Sequence, residues 1–136
     1  MPPVAAMQVS IAAYDGQRLQ LHAPLSHHIN DKGCAFGGSL ASMMTVASWG
    51  VMSLGIEQAD LRAEVFVADS QIRYLAPLFA DLDVHAELAP DSDWRSFLST
   101  LRERRRARIS LVARALLPEG GVATEFTARY VAIAKP

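Results

Sequence analysis

Apolar and polar residues alternate along two segments near the start of the chain. Residues 7–14 and 18–25 flank Asp15-Gly16, a dipeptide that favours a hairpin turn. Because successive side chains of a strand point to opposite faces, this pattern predicts an antiparallel pair of half-buried strands. Pro24 ends the second strand.

The next segment is apolar without alternation. Residues 33–56 contain no charged side chain, and they predict a helix over about residues 38–54 that is buried on nearly all sides. Gly55 is the expected C-terminal cap. A stretch of this length could also cross a membrane, but its serines, threonine and glycines make it more polar than a typical span. We therefore expect a core helix and no membrane association.

Strand-forming residues dominate most of the remaining chain. Four further strands are predicted, at residues 64–75, 82–88, 109–117 and 122–133. The last two are joined by the turn Glu119-Gly120-Gly121, so they form a second hairpin.

A short amphipathic helix separates the fourth strand from the fifth. Asp91, Ser92 or Asp93 can cap its start, and its apolar side chains share one face: Trp94, Phe97, Leu98 and Leu101. Six antiparallel strands and one long apolar helix indicate an α+β protein. We predict the hotdog fold, a curved antiparallel sheet wrapped around a long central helix, as a single domain over residues 1–136.

The composition indicates more apolar surface than one small domain can bury. Of 136 residues, 51% are hydrophobic and 20% are charged, so we expect a subunit interface, in a homodimer or a dimer of dimers. The net charge of −1 gives no general attraction to nucleic acid. The single cysteine, Cys34, cannot form an internal disulfide, and no signal-peptide pattern opens the chain, which indicates the cytoplasm.

The loop before the long helix has the residues of a carbonyl-binding or anion-binding site. It contains Asn30-x-x-Gly33-x-x-Phe36-Gly37-Gly38, and adjacent glycines let a ligand approach the backbone. The first N–H groups of a helix have no partner within the helix and lie at the positive end of its dipole. The loop therefore indicates a site that polarises a carbonyl or holds an anion.

Longer motifs resemble one family. The string HINDKGCAFGGSL at residues 28–40 is followed by SWG at residues 48–50, ADSQIRYLAP at residues 68–77 and DWxxF at residues 93–97. Over residues 7–134 the chain resembles the YiiD C-terminal-type putative thioesterases, which are hotdog-fold domains.

The resemblance implies an enzyme that acts on acyl thioesters of coenzyme A or of a carrier protein. A thioester carbonyl gains negative charge when it is attacked, and the N–H groups of Gly38 and Ser39 are suited to stabilise it. Asn30 would hold the carbonyl or the attacking water through its amide, unless it is a turn residue that bonds to its own backbone. Phe36 and Gly37 would contact the substrate.

The acid of more distant relatives is missing from the motif. Phenylacetate-pathway-type hotdog thioesterases, which are similar in this loop, carry a His before the two glycines and an Asp one to two turns into the helix. Here Phe36 replaces the His and Thr45 replaces the Asp. Asp69 is the candidate base, unless it pairs with Arg62 or Arg73. Thr45 could orient a water, or bond back to its own helix.

Other residues are candidates for substrate binding. The acyl chain would run beside Met43, Met44 and Trp49, which could equally be plain core. Five of the thirteen basic residues fall within seven positions: Arg102, Arg104, Arg105, Arg106 and Arg108. This cluster either solvates a helix end or binds coenzyme A phosphates or an acidic carrier protein, and Arg104, Arg105 and Arg106 are its candidates for that role.

No metal or separate cofactor is expected. His27 and His28 lie near the loop, but their spacing with other residues fits no metal site, so we expect surface or loop histidines. Coenzyme A or phosphopantetheine would enter only as part of the substrate. Cys34 is a possible nucleophile, although no histidine stands out as its base.

Three functions remain open. The first is hydrolysis of an acyl thioester. The second is binding of a thioester without hydrolysis, as an accessory protein, and the third is another reaction of the thioester, such as decarboxylation or isomerisation. Phe36 and Thr45 favour the second, because loss of the acid slows hydrolysis but leaves binding intact.

Overall fold

One antiparallel sheet of six strands forms the body of the molecule. The computed structural model describes residues 1–136, and the strand order is β1-β2-β4-β5-β6-β3. The strands are β1 Ser10–Tyr14, β2 Leu19–Ala23, β3 Ala63–Tyr74, β4 Leu82–Leu88, β5 Arg106–Leu116 and β6 Val122–Ala134. The helices are α1 Pro2–Ala6, α2 Gly37–Gln58 and α3 Trp94–Arg104. The sheet covers α2, so the predicted hotdog arrangement is confirmed.

Helix α2 forms the centre of the core. Nine of its residues are buried against the sheet, because the segment is apolar on most sides and small side chains let the strands approach. Its buried side chains include Leu40, Met43, Met44, Ala47, Val51, Met52 and Ile56. By length and composition α2 is the one helix that could cross a membrane, and 56% of its most apolar window is buried within the protein.

The predicted end of α2 at Gly55 is wrong. The helix continues to Gln58, and Ala59 is its C-cap. Gly55 is needed for packing instead, because a Cβ atom there would lie 1.9 Å from Cζ2 of Trp94. The glycine therefore lets Trp94, the first residue of α3, pack against the last turn of α2.

Two boundaries near the N-terminus also differ from the prediction. Residues 2–6 form the short helix α1, and β1 begins at Ser10 rather than at residue 7. The predicted hairpin is present, with Tyr14 opposite Leu19. Asp15 stabilises its turn, since its Oδ1 accepts hydrogen bonds from the N–H groups of Gln17 and Arg18.

Helix α3 begins at one of the three predicted caps. The Asp93 carboxylate accepts hydrogen bonds from the backbone N–H groups of Arg95 and Ser96 at 3.2 and 3.3 Å. The rings of Trp94 and Phe97 stack with centroids 5.2 Å apart. The helix ends where Arg105 adopts a left-handed conformation, with φ of 64°, and β5 follows directly, three residues earlier than predicted.

The two ends of the sheet have different surroundings. Tyr74, at the end of β3, donates a hydrogen bond to Gly37 O at 3.0 Å, so the start of α2 lies at this end. Arg106 starts β5 at the opposite end, where Ile133 pairs with both Arg106 and Glu64. Ten strand residues separate these ends, which corresponds to roughly 30 Å.

Candidate functional site

The side chain of Asn30 shapes the loop that precedes α2. Its Oδ1 accepts hydrogen bonds from the N–H groups of Lys32 at 2.8 Å and Cys34 at 3.2 Å. Its backbone N–H donates to Cys34 O at 2.8 Å, and Gly33 supplies the positive φ of 82° that the turn requires. The turn role considered for Asn30 is therefore present, but it uses the carbonyl oxygen only. The amide nitrogen contacts only the buried thiol of Cys34, at 3.3 Å.

The start of α2 offers free hydrogen-bond donors. Phe36 is the N-cap and its side chain makes no capping bond. The N–H of Leu40 is the first to find an acceptor, Phe36 O at 3.2 Å, and the N–H groups of Gly37, Gly38 and Ser39 have none. Together with the helix dipole, they favour negative charge at this point.

Two aromatic rings flank the glycines. A Cβ at Gly38 would lie 2.5 Å from Cε2 of Phe36, and a Cβ at Gly37 would lie 3.3 Å from Cε1 of Tyr74. Phe36 is 57% exposed, so its ring forms an outer wall beside the helix start. The glycines therefore keep the backbone accessible between the two rings.

A cavity of about 250 Å³ opens next to Gly37. Its lining is mostly apolar: Ala35, Gly37, Leu40, Tyr74, Leu75, Ala76, Pro77, Leu78 and Thr124. Thr124 was not predicted from the sequence, where it appears as an ordinary strand residue. It is fully buried and its hydroxyl has no hydrogen-bond partner. Such an unsatisfied group costs stability unless something else binds to it.

His28 lies in the loop before α2, which is one of the two predicted placements, but it is not at the surface. Only 5% of it is exposed, and its Nε2 lies 2.7 Å from Met7 O while its Nδ1 lies 2.8 Å from Ser39 Oγ. The segment that contains Met7 lies 21 residues away in sequence, so no local pattern could reveal this contact. His27, by contrast, is exposed as expected.

Asp69 is not brought to the helix start within the chain. Its carboxylate pairs with Arg129 on the neighbouring strand, with Arg129 Nε at 3.0 Å from Oδ2. This ion pair is the alternative foreseen for Asp69, although with a different arginine. The hydrogen bond from Arg129 lowers the pKa of Asp69, which makes the carboxylate a weaker base. Asp69 also precedes Tyr74 by five strand residues, or roughly 17 Å.

Thr45 and the predicted acyl-chain residues also lie away from the free donors. The Thr45 hydroxyl donates to Ala41 O at 2.8 Å, which is the back-bonding alternative. Met43 and Met44 are fully buried core residues, and Trp49 is 36% exposed on α2. An acyl chain could reach the two methionines only if core side chains moved.

The arginine cluster lies at the other end of the sheet from the helix start. Arg105 already forms a hydrogen bond within the chain, since its Nη2 donates to Lys135 O at 2.6 Å. Arg104 and Arg106 are exposed and form no ion pair. A single chain therefore does not combine these arginines with Asn30 and Gly38.

Comparison with known proteins agrees with this architecture. The family model described as putative thioesterase (yiiD C-terminal) matches residues 1–134. A protein of unknown function from Chlorobaculum tepidum TLS is 28% identical with a TM-score of 0.93, over 99% of this chain and 88% of that one. A putative thioesterase from Shewanella oneidensis is also 28% identical, with a TM-score of 0.88 over 98% and 89% of the two chains. The family match over nearly the whole chain decides the assignment: the chain belongs to the YiiD C-terminal putative thioesterase family.

Proposed function

We propose that this protein hydrolyses acyl thioesters of coenzyme A or of a carrier protein, and that backbone N–H groups rather than a metal polarise the carbonyl. The observation that carries the proposal is the set of free donors at Gly37, Gly38 and Ser39, beside the apolar cavity at Gly37. Fixed donors of this kind stabilise the charge that develops on a carbonyl oxygen under attack.

Asn30 supplies a further donor in this proposal. Its carbonyl oxygen is used within the loop, which fixes the orientation of the amide. The amide nitrogen can then donate to the substrate carbonyl or to the attacking water. Thr124 lines the same cavity, but its unpartnered hydroxyl is fully buried, so a polar group of the acyl chain would bind it only after neighbouring side chains move.

A homodimer with its site at the subunit boundary completes the proposal. Strand β3 is one of the two edges of the sheet, the other being β1, and its backbone groups on the free side are unpaired, as in any edge strand. Phe66 and Val67 on this strand are 48% and 43% exposed. An apolar edge of this length favours pairing with a second copy of the chain.

The side-chain pattern of β3 suits antiparallel pairing with itself. If the twelve residues overlap fully, Ala63 lies opposite Tyr74, Glu64 opposite Arg73 and Val65 opposite Ile72. Opposite charges then face each other, which is favourable. Glu64 forms no ion pair within its own chain.

The β-bulge of β3 fits the full-overlap pairing. The bulge lies between Val67 and Asp69, at the centre of the strand, and it shifts by one residue the alternation of side chains between the two faces of the sheet. Val67 pairs with the buried Tyr130 and Ser70 with the buried Ala128, so both point toward the helix. Full overlap sets Val67 opposite Ser70, and inner side chains meet inner side chains.

Antiparallel pairing would also give the arginine cluster a role. The second copy's β3 would run in the opposite direction, so its Arg106 end would approach the Tyr74 end of the first chain. Arg104 and Arg106 of one copy would then lie nearer the helix start of the other. Guanidinium groups bind phosphate well, which supports a role in holding coenzyme A or phosphopantetheine.

Release of free thiol from a panel of acyl-coenzyme A and acyl-carrier thioesters tests the hydrolase. We expect turnover by the wild type and its loss in Gly38→Val, since the added side chain meets Phe36 and covers the donors. Gly121→Ala is the matched control, because its Cβ would meet only ordinary contacts at 3.4 Å in the β5–β6 turn. Calorimetric binding without turnover of any thioester would favour the accessory protein instead.

Decarboxylation is a second candidate, and one observation favours it. The carboxylate proposed as a base, Asp69, is held by Arg129 away from the helix start. Loss of carbon dioxide from a carboxyacyl thioester leaves an enolate, which requires stabilising donors but no carboxylate base. Mass spectrometry distinguishes the reactions, because decarboxylation leaves the thioester intact and lighter by carbon dioxide, whereas hydrolysis gives a free acid and a thiol.

A further inference from the structure

The contacts of His28 assign the proton on its ring. Nε2 faces the carbonyl oxygen of Met7 at 2.7 Å, and a carbonyl oxygen can only accept. Nε2 must therefore carry a proton, so Nδ1 of the neutral ring is the acceptor. Ser39 Oγ, at 2.8 Å from Nδ1, then donates its proton to the ring.

This pair lies at the start of α2. Ser39 is the third residue of the helix, within the same turn as the free N–H groups of Gly37 and Gly38. Ser39 is partly exposed while His28 is buried. Ser39 and His28 share this turn with the free donors but do not line the cavity at Gly37. A hydroxyl bonded to an oriented imidazole, in the same turn as donors for an oxyanion, is an arrangement that supports nucleophilic acyl transfer.

We propose that Ser39 is the nucleophile of the reaction and that His28 is its general base, with Met7 O as the group that orients the ring. This inference rests on the thioester site proposed above and supplies the base that Asp69 and Thr45 do not provide there. Ser39 was considered from the sequence for its backbone N–H only, and the hydroxyl adds a second function to the same residue.

The chemistry balances with water as the only co-reactant. Ser39 Oγ bonds to the thioester carbon as its proton passes to His28 Nδ1, and the carbonyl oxygen becomes negative against the N–H groups of Gly37 and Gly38. The C–S bond then breaks, and the leaving thiolate takes the proton from Nδ1. Water attacks the acyl-serine ester, gives a proton to Nδ1, and the ester C–O bond breaks as Oγ recovers that proton. The products are a carboxylic acid and a thiol.

Kinetics of four single variants test the assignment. Ser39→Ala and His28→Gln should each lower kcat by about 100-fold or more, with little change in KM. The double variant should be no slower than the slower single one, because residues that act as a unit are not additive. Ser42→Ala, an exposed serine on the next turn, and His27→Gln, the exposed neighbour, should retain wild-type rates. Circular dichroism of each variant checks its fold.

Labelling by p-nitrophenyl acetate gives a measurement that does not depend on thioester turnover. Intact-protein and peptide mass spectrometry should find one acetyl group on the peptide with Ser39 in the wild type, none there in Ser39→Ala, and labelling slowed by about 100-fold or more in His28→Gln. A wild type that hydrolyses thioesters while Ser39→Ala keeps its rate would overturn this inference but not the proposed function. The reaction is quenched in acid within milliseconds of mixing, so that the ester is trapped before water removes it. No acetylation of Ser39 in folded wild-type protein under that quench would overturn it whether or not thioesters are hydrolysed.

Discussion

At Asn30, one side chain carries two polar groups that the fold uses differently. The carbonyl oxygen closes the loop by accepting from Lys32 and Cys34, and this contact can be made equally by a carboxylate oxygen. The amide nitrogen has only the Cys34 thiol as a neighbour. A substitution that keeps the oxygen and removes the nitrogen can therefore separate loop structure from catalysis.

Asn30→Asp should lower kcat/KM by about tenfold or more, equivalent to at least about 1.4 kcal/mol of transition-state stabilisation, while Tm changes little. Asn30→Ala should lower kcat/KM as well and should also reduce the free energy of unfolding by about 1 kcal/mol, because the loop loses its acceptor. Thiol-release kinetics and thermal unfolding measure the two effects. A wild-type rate in Asn30→Asp would show that the amide does not contact the substrate.

Sequence patterns revealed the residues of this site only where the evidence is local. Asn30 and the two glycines could be found because their roles follow from the loop and the helix start that they form. His28 could not, because its burial depends on Met7 O from a segment without regular strand structure. Thr124 lies opposite Tyr74, and only the sheet register places it in the cavity wall.

At the level of elements, strands were easier to predict than the end of α2. Alternation is a property of each strand alone, so residues 82–88 were predicted with their observed bounds. Gly55 has the sequence features of a helix cap, yet the helix continues beyond it to Gln58. The glycine is needed for packing, because Trp94 occupies the space that a side chain would fill. A contact between two helices thus decided a feature that local propensity could not.

Gly55→Ala should test this contact. Alanine favours a helix by about 1 kcal/mol over glycine, but the added Cβ would collide with Trp94, and overpacking of a core costs about 1–3 kcal/mol. We expect a net loss of up to roughly 2 kcal/mol in the free energy of unfolding measured with urea. In a Trp94→Leu background the same change should stabilise the protein, because the collision is gone and only the higher helix propensity of alanine remains. Equal effects in both backgrounds would exclude the collision as the cause.

The cap of α3 makes stability depend on pH. Hydrogen bonds from Ser96 and then from the N–H of Arg95 lower the pKa of Asp93 below its usual value of 3.8. A carboxyl whose pKa is lower in the folded state stabilises the fold above its unfolded pKa, and this contribution is lost as pH falls through the folded value. Asp93 should therefore cause no change in Tm near neutral pH, and it should cause Tm to decrease when the pH is lowered below about 4. Asp93→Asn, which can still cap the helix, should remove that part of the acid dependence in a series of melting curves.

At the scale of the whole molecule, the separation of the arginine cluster from the helix start is the main argument for a dimer. Tyr74 and Arg106 mark opposite ends of the sheet, so the free N–H groups at the start of α2 and the exposed arginines of the same chain lie about 30 Å apart. Antiparallel pairing through β3 would bring the two sets together, each from a different copy. The sequence predicted the surplus of apolar side chains but could not show that three of the exposed ones, Phe66, Val67 and Tyr74, lie on the edge strand β3.

Charge reversal on β3 tests both the dimer and its register. Glu64→Arg would place like charges opposite each other at both ends of the paired strands, and each such pair should cost about 0.2–1 kcal/mol. The dimer dissociation constant from analytical ultracentrifugation should then rise by about two- to thirty-fold. Adding Arg73→Glu should restore it, because the opposite charges are exchanged and meet again. Arg73→Glu alone measures the separate effect of losing the ion pair between Arg73 and Glu125 within the chain, at 3.9 Å. Glu119→Arg, exposed in the turn between β5 and β6, is the matched control and should leave dissociation unchanged. If the double variant dissociates more readily than Glu64→Arg alone, the two residues are not opposite each other and the full-overlap register is wrong.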